Sequence, residues 1–136
     1  MTRTLGLDYG EKRIGVSISD PLFITAQPLH FLLNDETLFE RLAEIISEYV
    51  VSTIVLGLPL NAAGEDSAKC SEVRDFATQL ETQFDCPIAF WDERFSTVAV
   101  NRHLIDADVS RKKRNSIVDS QAAMFILQGY MDKENR

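Results

Sequence analysis

At 136 residues the chain has room for one domain and one good core, and not for two lobes closing on a nucleotide. Hydrophobic residues make up 45% and charged residues 26%, an ordinary balance for a globular protein that argues against disorder. A net charge of −7 excludes a broad basic surface for nucleic acid, so any grip on a polyanion has to be local.

Thr4-Leu5-Gly6-Leu7-Asp8-Tyr9-Gly10 is an apolar stretch ending in a carboxylate, and Arg13 to Ser19 follows with period-2 alternation. Residues about 3–9, 12–19 and 27–33 are therefore expected to be strands of a meander, turned at Gly10-Glu11 and Asp20-Pro21. Asn34 is the expected N-cap of a helix from about Asp35 to Tyr49, with Leu38, Leu42, Ile45, Ile46 and Tyr49 on its apolar face. Thr53 to Leu58 is a continuously apolar strand of the kind buried on both faces. Pro59 to Asp66 is a loop, Asp66 to Phe84 a helix, and Pro87 to Trp91 a strand that ends in Asp92-Glu93-Arg94. Ser96 is placed to cap a third helix, and Asn115 or Ser116 opens a last one that runs to about Met131. A meander followed by strand–helix alternation gives an α/β layered fold with a mixed sheet of about five strands, read as one domain over residues 1–136.

The apolar runs are too short to span a bilayer, and Asp8, Glu11, Lys12 and Arg13 stand where a secretory leader needs apolar residues. A cytoplasmic location is expected. Cys70 and Cys86, without a CxxC spacing, are expected to be free thiols and not a zinc or disulfide framework.

Four carboxylates fall at strand or helix ends: Asp8, Asp92, Glu93 and Asp119. Burying a bare carboxylate is costly, so an Asp closing an apolar strand has to meet water, a partner or a metal. Asp119 precedes Ala122 and Ala123, two small residues that would let a helix lie close to the sheet and bring its carboxylate towards Asp8. Converging carboxylates repel one another unless a cation neutralises them, and an oxygen-only donor set suits Mg²⁺ or Mn²⁺. Such a site fits phosphodiester hydrolysis assisted by two metal ions. Adjacent strand residues point to opposite faces, so Glu93 is the preferred ligand of its pair, with Asp92 in a supporting part. Arg94 is placed either to pair with these acids or to meet a substrate phosphate. Arg111-Lys112-Lys113-Arg114 is the densest basic run, either a solvated loop or a phosphate grip. Asn61, at a strand's carboxyl end, is placed to touch substrate or to form a turn.

Several segments together resemble the YqgF/RuvX family. They are Leu5 to Gly10 with Arg13-Ile14-Gly15, Ser19-Asp20-Pro21, Val55 to Asn61 through Gly64, Asp92 to Thr97, and Asp119-Ser120-Gln121-Ala122-Ala123 before Ile126 to Tyr130. They occur in family order across nearly the whole chain. The resemblance implies an RNase H-like fold, shared with Holliday junction resolvases and ribonuclease H. It implies a nuclease trimming the 5′ end of the precursor of 16S rRNA, with Asp8, Glu93 and Asp119 as the metal-binding carboxylates. On the nuclease reading Arg94 and Arg111 to Arg114 steer phosphates, Asn61 is a candidate substrate contact beside its turn-forming alternative, and precursor rRNA is the expected partner.

Two other readings stay open. One is cleavage of branched DNA as a junction resolvase, which requires paired sites and hence a homodimer. The other is a non-catalytic binding module of the transcription or translation machinery. An actin-like phosphotransferase, suggested by Leu7-Asp8-Tyr9-Gly10, needs two lobes and is set aside.

Overall fold

The structure is a computed structural model and describes residues 1–95 and 120–136. Strands β1 (Arg3–Asp8), β2 (Arg13–Ser19) and β3 (Ala26–Leu33) form the expected meander. Then come α1 (Leu38–Tyr49), β4 (Val51–Leu58), α2 (Ala68–Gln83) and β5 (Ile88–Asp92). A single 3₁₀ turn, Glu93–Phe95, follows β5, and α3 (Gln121–Glu134) ends the described chain. The sheet order is β3-β2-β1-β4-β5, with antiparallel pairing through β3, β2 and β1 and parallel pairing from β1 to β4 to β5. The expected mixed sheet of five strands is borne out. The helix expected after Ser96, and the expected start of the last helix at Asn115 or Ser116, lie outside the described residues.

Alternation along the strands divides the core in two. Leu5, Leu7, Val16, Ile54 and Leu56 are fully buried against the apolar faces of α1 and α2, among them Leu42, Phe76 and Leu80. On the other face Val55 and Trp91 pack with Ala122, Ile126, Leu127 and Met131 of α3. Burial of these side chains, each contributing about 1.5–3 kcal/mol for the larger aliphatics, is what holds the helices to the sheet. Cys70 is buried within the first cluster and Cys86 is half-buried; both are free thiols, as expected.

Helix α1 starts three residues later than the spacing predicts, with Thr37 and not Asn34 at its N-cap position. Asp35 competes locally: its carboxylate accepts from Thr37 N at 2.8 Å and Thr37 Oγ1 at 2.6 Å, which forms a turn in place of a first helical turn. Asn34 is used elsewhere, its Nδ2 donating to Gly10 O at 2.9 Å across the β1–β2 turn.

Helix α3 lies unusually near the sheet. A Cβ added at Gly6 would stand 2.5 Å from Ser17 Oγ and 2.7 Å from Leu127 Cβ, so only glycine fits beneath the helix there. Ser17 Oγ donates to Ala123 O at 2.8 Å, and Ser120 Oγ accepts from Val16 N at 3.0 Å, both pairs being buried. The far end of α3 is stitched to the β2–β3 turn, where Gln128 Oε1 accepts from Ala26 N and Asn135 Nδ2 donates to Phe23 O, each at 2.8 Å. That turn is itself organised by Asp20, whose Oδ1 accepts from Ile24 N at 2.6 Å and Thr25 N at 2.8 Å.

Two predictions follow from this packing. Gly6→Ala overpacks the contact between the sheet and α3 and should lower stability by about 1–3 kcal/mol in urea unfolding; an unchanged midpoint would contradict the close approach. The amides of Thr25 and Ile24 hold the Asp20 carboxyl below the ordinary carboxylate range. A depressed folded-state pKa stabilises the protein above the unfolded value of about 3.9 and loses that contribution as pH falls through the folded value. Asp20→Asn should therefore flatten the acid limb of a Tm–pH curve below about pH 4; parallel limbs for the two proteins would count against it.

Candidate functional site

Because β1, β4 and β5 run parallel, their carboxyl ends share one edge of the sheet, where loops and helix starts leave room for a ligand. Asp8 ends β1 and is in phase with Gly6, so it stands on the α3 face of the sheet. Leu7 pairs with Leu56, which puts Gly57 beside Asp8 on the neighbouring strand. Glu93 follows β5 in the 3₁₀ turn, is only 9% exposed, and rests against Gly57: a Cβ there would stand 3.3 Å from the Glu93 carboxyl carbon and would collide with Ile126 Cδ1. A bare glycine at this point lets Ile126 of α3 and the Glu93 carboxyl both lie close against β4.

Asp8 and Glu93 line one cleft of about 360 Å³, together with Tyr9, Leu60, Lys69 and Arg94. Two of the acids expected to converge, one ending β1 and one in the turn after β5, thus line the same cleft. The third expected acid, Asp119, lies outside the described residues, as do Arg111, Lys112, Lys113 and Arg114. Among the described residues no group of three or more His, Cys, Asp or Glu side chains is gathered to hold a metal. Asp8 and Glu93 supply two carboxylates as hard oxygen donors, and among the described residues no His or Cys lines the cleft. That donor chemistry fits Mg²⁺ or Mn²⁺ and not zinc.

The adjacent acids Asp92 and Glu93 have different surroundings. Asp92 is taken up by Arg94: Nε lies 3.0 Å from Oδ2 and Nη2 2.7 Å from Oδ2, while Arg94 N donates to Oδ1 at 3.0 Å. The Arg94 side-chain hydrogen bonds, helped by its backbone amide, hold the Asp92 carboxyl below the ordinary range, and the same contacts push the Arg94 guanidinium up. The guanidinium also lies over Gly64 of the β4–α2 loop, with Nη1 and Nη2 3.1 Å from where a Cβ would be. Arg94 therefore joins the end of β5 to that loop while standing in the cleft wall. Asn61 shapes the same loop, its Oδ1 accepting from Ala63 N at 2.9 Å and Glu65 N at 3.0 Å. This is the turn-forming reading of Asn61, and its side chain does not line the cleft.

Lys69 lines the cleft without being marked by any motif, whereas Tyr9 does so from within the Leu5 to Gly10 segment. The available signal for Lys69 was positional, a basic residue in the first turn of the helix that follows β4. Ser17 and Ser120, which hold α3 against the sheet, are also silent in the sequence because small hydroxyls are common in every context.

Comparison with known proteins agrees with this geometry. A model of the RuvX family, described as Holliday junction resolvase, matches residues 2–133. A protein of Halalkalibacterium halodurans is 46% identical over 136 residues, covering 97% of this chain and 97% of its own, and one of Desulforamulus reducens is 48% identical over 132 residues, covering 96% of each. Both are named as candidate pre-16S rRNA nucleases. Thermus thermophilus RuvC, solved in complex with a Holliday junction substrate, superposes with a TM-score of 0.55 at 9% identity, covering 99% of this chain and 96% of that one. That likeness is one of fold, the RNase H-like arrangement that the resemblance implied. With nearly the whole length matched by the family model and by relatives sharing almost half their residues, the chain belongs to the RuvX family of Holliday junction resolvase-like proteins.

Proposed function

We propose that this protein is a divalent-metal-dependent nuclease that hydrolyses phosphodiester bonds at the Asp8–Glu93 cleft and processes the 5′ end of the 16S rRNA precursor in the cytoplasm. The observation that carries this reading is the meeting of Asp8 and Glu93, from strands far apart in sequence, on one face and in one cleft. Residues 1–136 act on this reading as a single nuclease domain. The name borne by the relatives supports rRNA as the substrate.

Two carboxylates side by side repel each other, and a divalent cation removes that repulsion while accepting both as ligands. When bound, Mg²⁺ or Mn²⁺ supplies Lewis-acid chemistry, activating water and stabilising the leaving oxygen. The chain's own part is positioning. Glu93 is fixed by burial against Gly57, and Asp8 by the end of a central strand. Asp119 is assigned as the third ligand. Its support is that Asp119 directly precedes Ser120, whose hydroxyl accepts a hydrogen bond from the Val16 amide, and Val16 pairs with Leu7, the residue before Asp8. Arg94, which stands in the cleft wall, is assigned to meet a substrate phosphate there, and the basic run Arg111 to Arg114 to hold substrate further from the reacting bond. Asn61 contributes by shaping the loop that walls the cleft.

A second reading, resolution of branched DNA, is favoured by the description of the family model and by the likeness in fold to RuvC. It requires a homodimer whose two centres face one junction. A non-catalytic binding module would keep substrate affinity without cleavage. One assay separates the three: precursor rRNA, junction DNA and single strands are each offered with Mn²⁺ to the wild type, Asp8→Asn and Glu93→Gln. Rates on precursor rRNA should fall more than about 100-fold in either variant, since even residues behind metal ligands are worth 10–100-fold. Preferred cutting of junctions by a dimer would select the second reading, and full activity of Asp8→Asn would refute the site.

A further inference from the structure

We propose that Lys69 is a substrate contact of this cleft, its ammonium holding the backbone phosphate next to the one being cleaved. The inference rests on the nuclease reading above and extends it to a residue that neither the sequence motifs nor the family resemblance marks.

Lys69 is the second residue of α2, the helix that follows the β4–α2 loop at the carboxyl edge of the sheet, and it lines the same cleft as Asp8 and Glu93. The cleft's problem is one of charge. A nucleic acid brings a phosphate at every nucleotide to a wall that already carries two carboxylates on a protein of net charge −7. Metal ions at Asp8 and Glu93 would neutralise the acids and the reacting phosphate, but the neighbouring phosphate needs a cation of the protein's own. Arg94 has its Nε and Nη2 directed at Asp92, at 3.0 and 2.7 Å from Oδ2.

Lys69 is differently placed. Among the described residues it enters no ion pair. The acids nearest to it in sequence are accounted for: Asp66 is held by Arg74, with Nη2 at 2.9 Å and Nε at 3.0 Å, and Glu72 faces a separate cavity of about 270 Å³ that it lines with Asp75 and Gln79. The first turn of α2 contains no acidic residue, so the partial positive charge of the helix start adds to that of the lysine.

The test measures binding apart from cleavage. A short fluorescently labelled single-stranded RNA is titrated with the full chain carrying Asp8→Asn, and with the same chain carrying in addition Lys69→Ala or Lys69→Arg, over a range of KCl concentrations. Loss of one phosphate contact should reduce the slope of log K against log[salt] by about 0.7 in Lys69→Ala and weaken binding at low salt on the order of fivefold. Lys69→Arg should restore the slope. An unchanged slope and affinity in Lys69→Ala would overturn the inference, as would an equal loss in Lys69→Arg, which would point to packing and not charge. The two readings fail separately. Cleavage by Asp8→Asn at the wild-type rate sinks the nuclease site, whereas an inactive Asp8→Asn with an indifferent Lys69→Ala sinks only the lysine.

Discussion

The close seating of α3 on the sheet is the constraint from which the rest of the architecture follows. Two hydroxyls make it chemically tolerable: Ser17 donates to the Ala123 carbonyl and Ser120 accepts from the Val16 amide, so backbone groups in the dry contact keep their hydrogen bonds. Two absent side chains make it sterically possible, at Gly6 under Ala123 and Leu127 and at Gly57 under Ile126. The same Gly57 leaves space for the Glu93 carboxyl, so the packing that anchors the helix also bears on one wall residue of the cleft. A larger residue at either glycine would lift the helix and disturb the carboxylates at once, which couples stability to function at this point of the fold.

Electrostatics then sorts side chains that are chemically alike. Asp92 and Glu93 are neighbours, yet one is neutralised by the fork of Arg94 and the other is buried in the cleft with Asp8. Because the protein carries a net charge of −7, the proposed nucleic-acid substrate has to be gripped by local cations and not by a basic surface.

The sheet was legible because its alternation is strong: Leu5 and Leu7, Val16, and Ile54 and Leu56 turn to one core while Val55 turns to the other. Asp8 and Glu93 were legible for a related reason, as polar endings of apolar runs. Local side-chain chemistry was harder to read. Asn34 had the residue type of a helix cap, but Gly10, close only after β1 and β2 have paired, offered its amide a better partner. Asn61 was readable as either a turn former or a substrate contact, and its two backbone bonds within the loop favour the turn. Lys69 was invisible, because an exposed lysine on a helix acquires meaning only when the docking of that helix is known. Asp119 and the basic run at Arg111 to Arg114 stay at the level of sequence, since they lie outside the described residues.

The central claim is that Asp8 and Glu93 share a divalent ion, and a crystal soaked in Mn²⁺ tests it most directly by anomalous diffraction. The account predicts an Mn²⁺ peak in the cleft, within about 2.0–2.6 Å of a carboxylate oxygen of each residue. Manganese absent from that cleft at saturating concentration, or seated only on other acids such as Glu72 and Asp75, would contradict it.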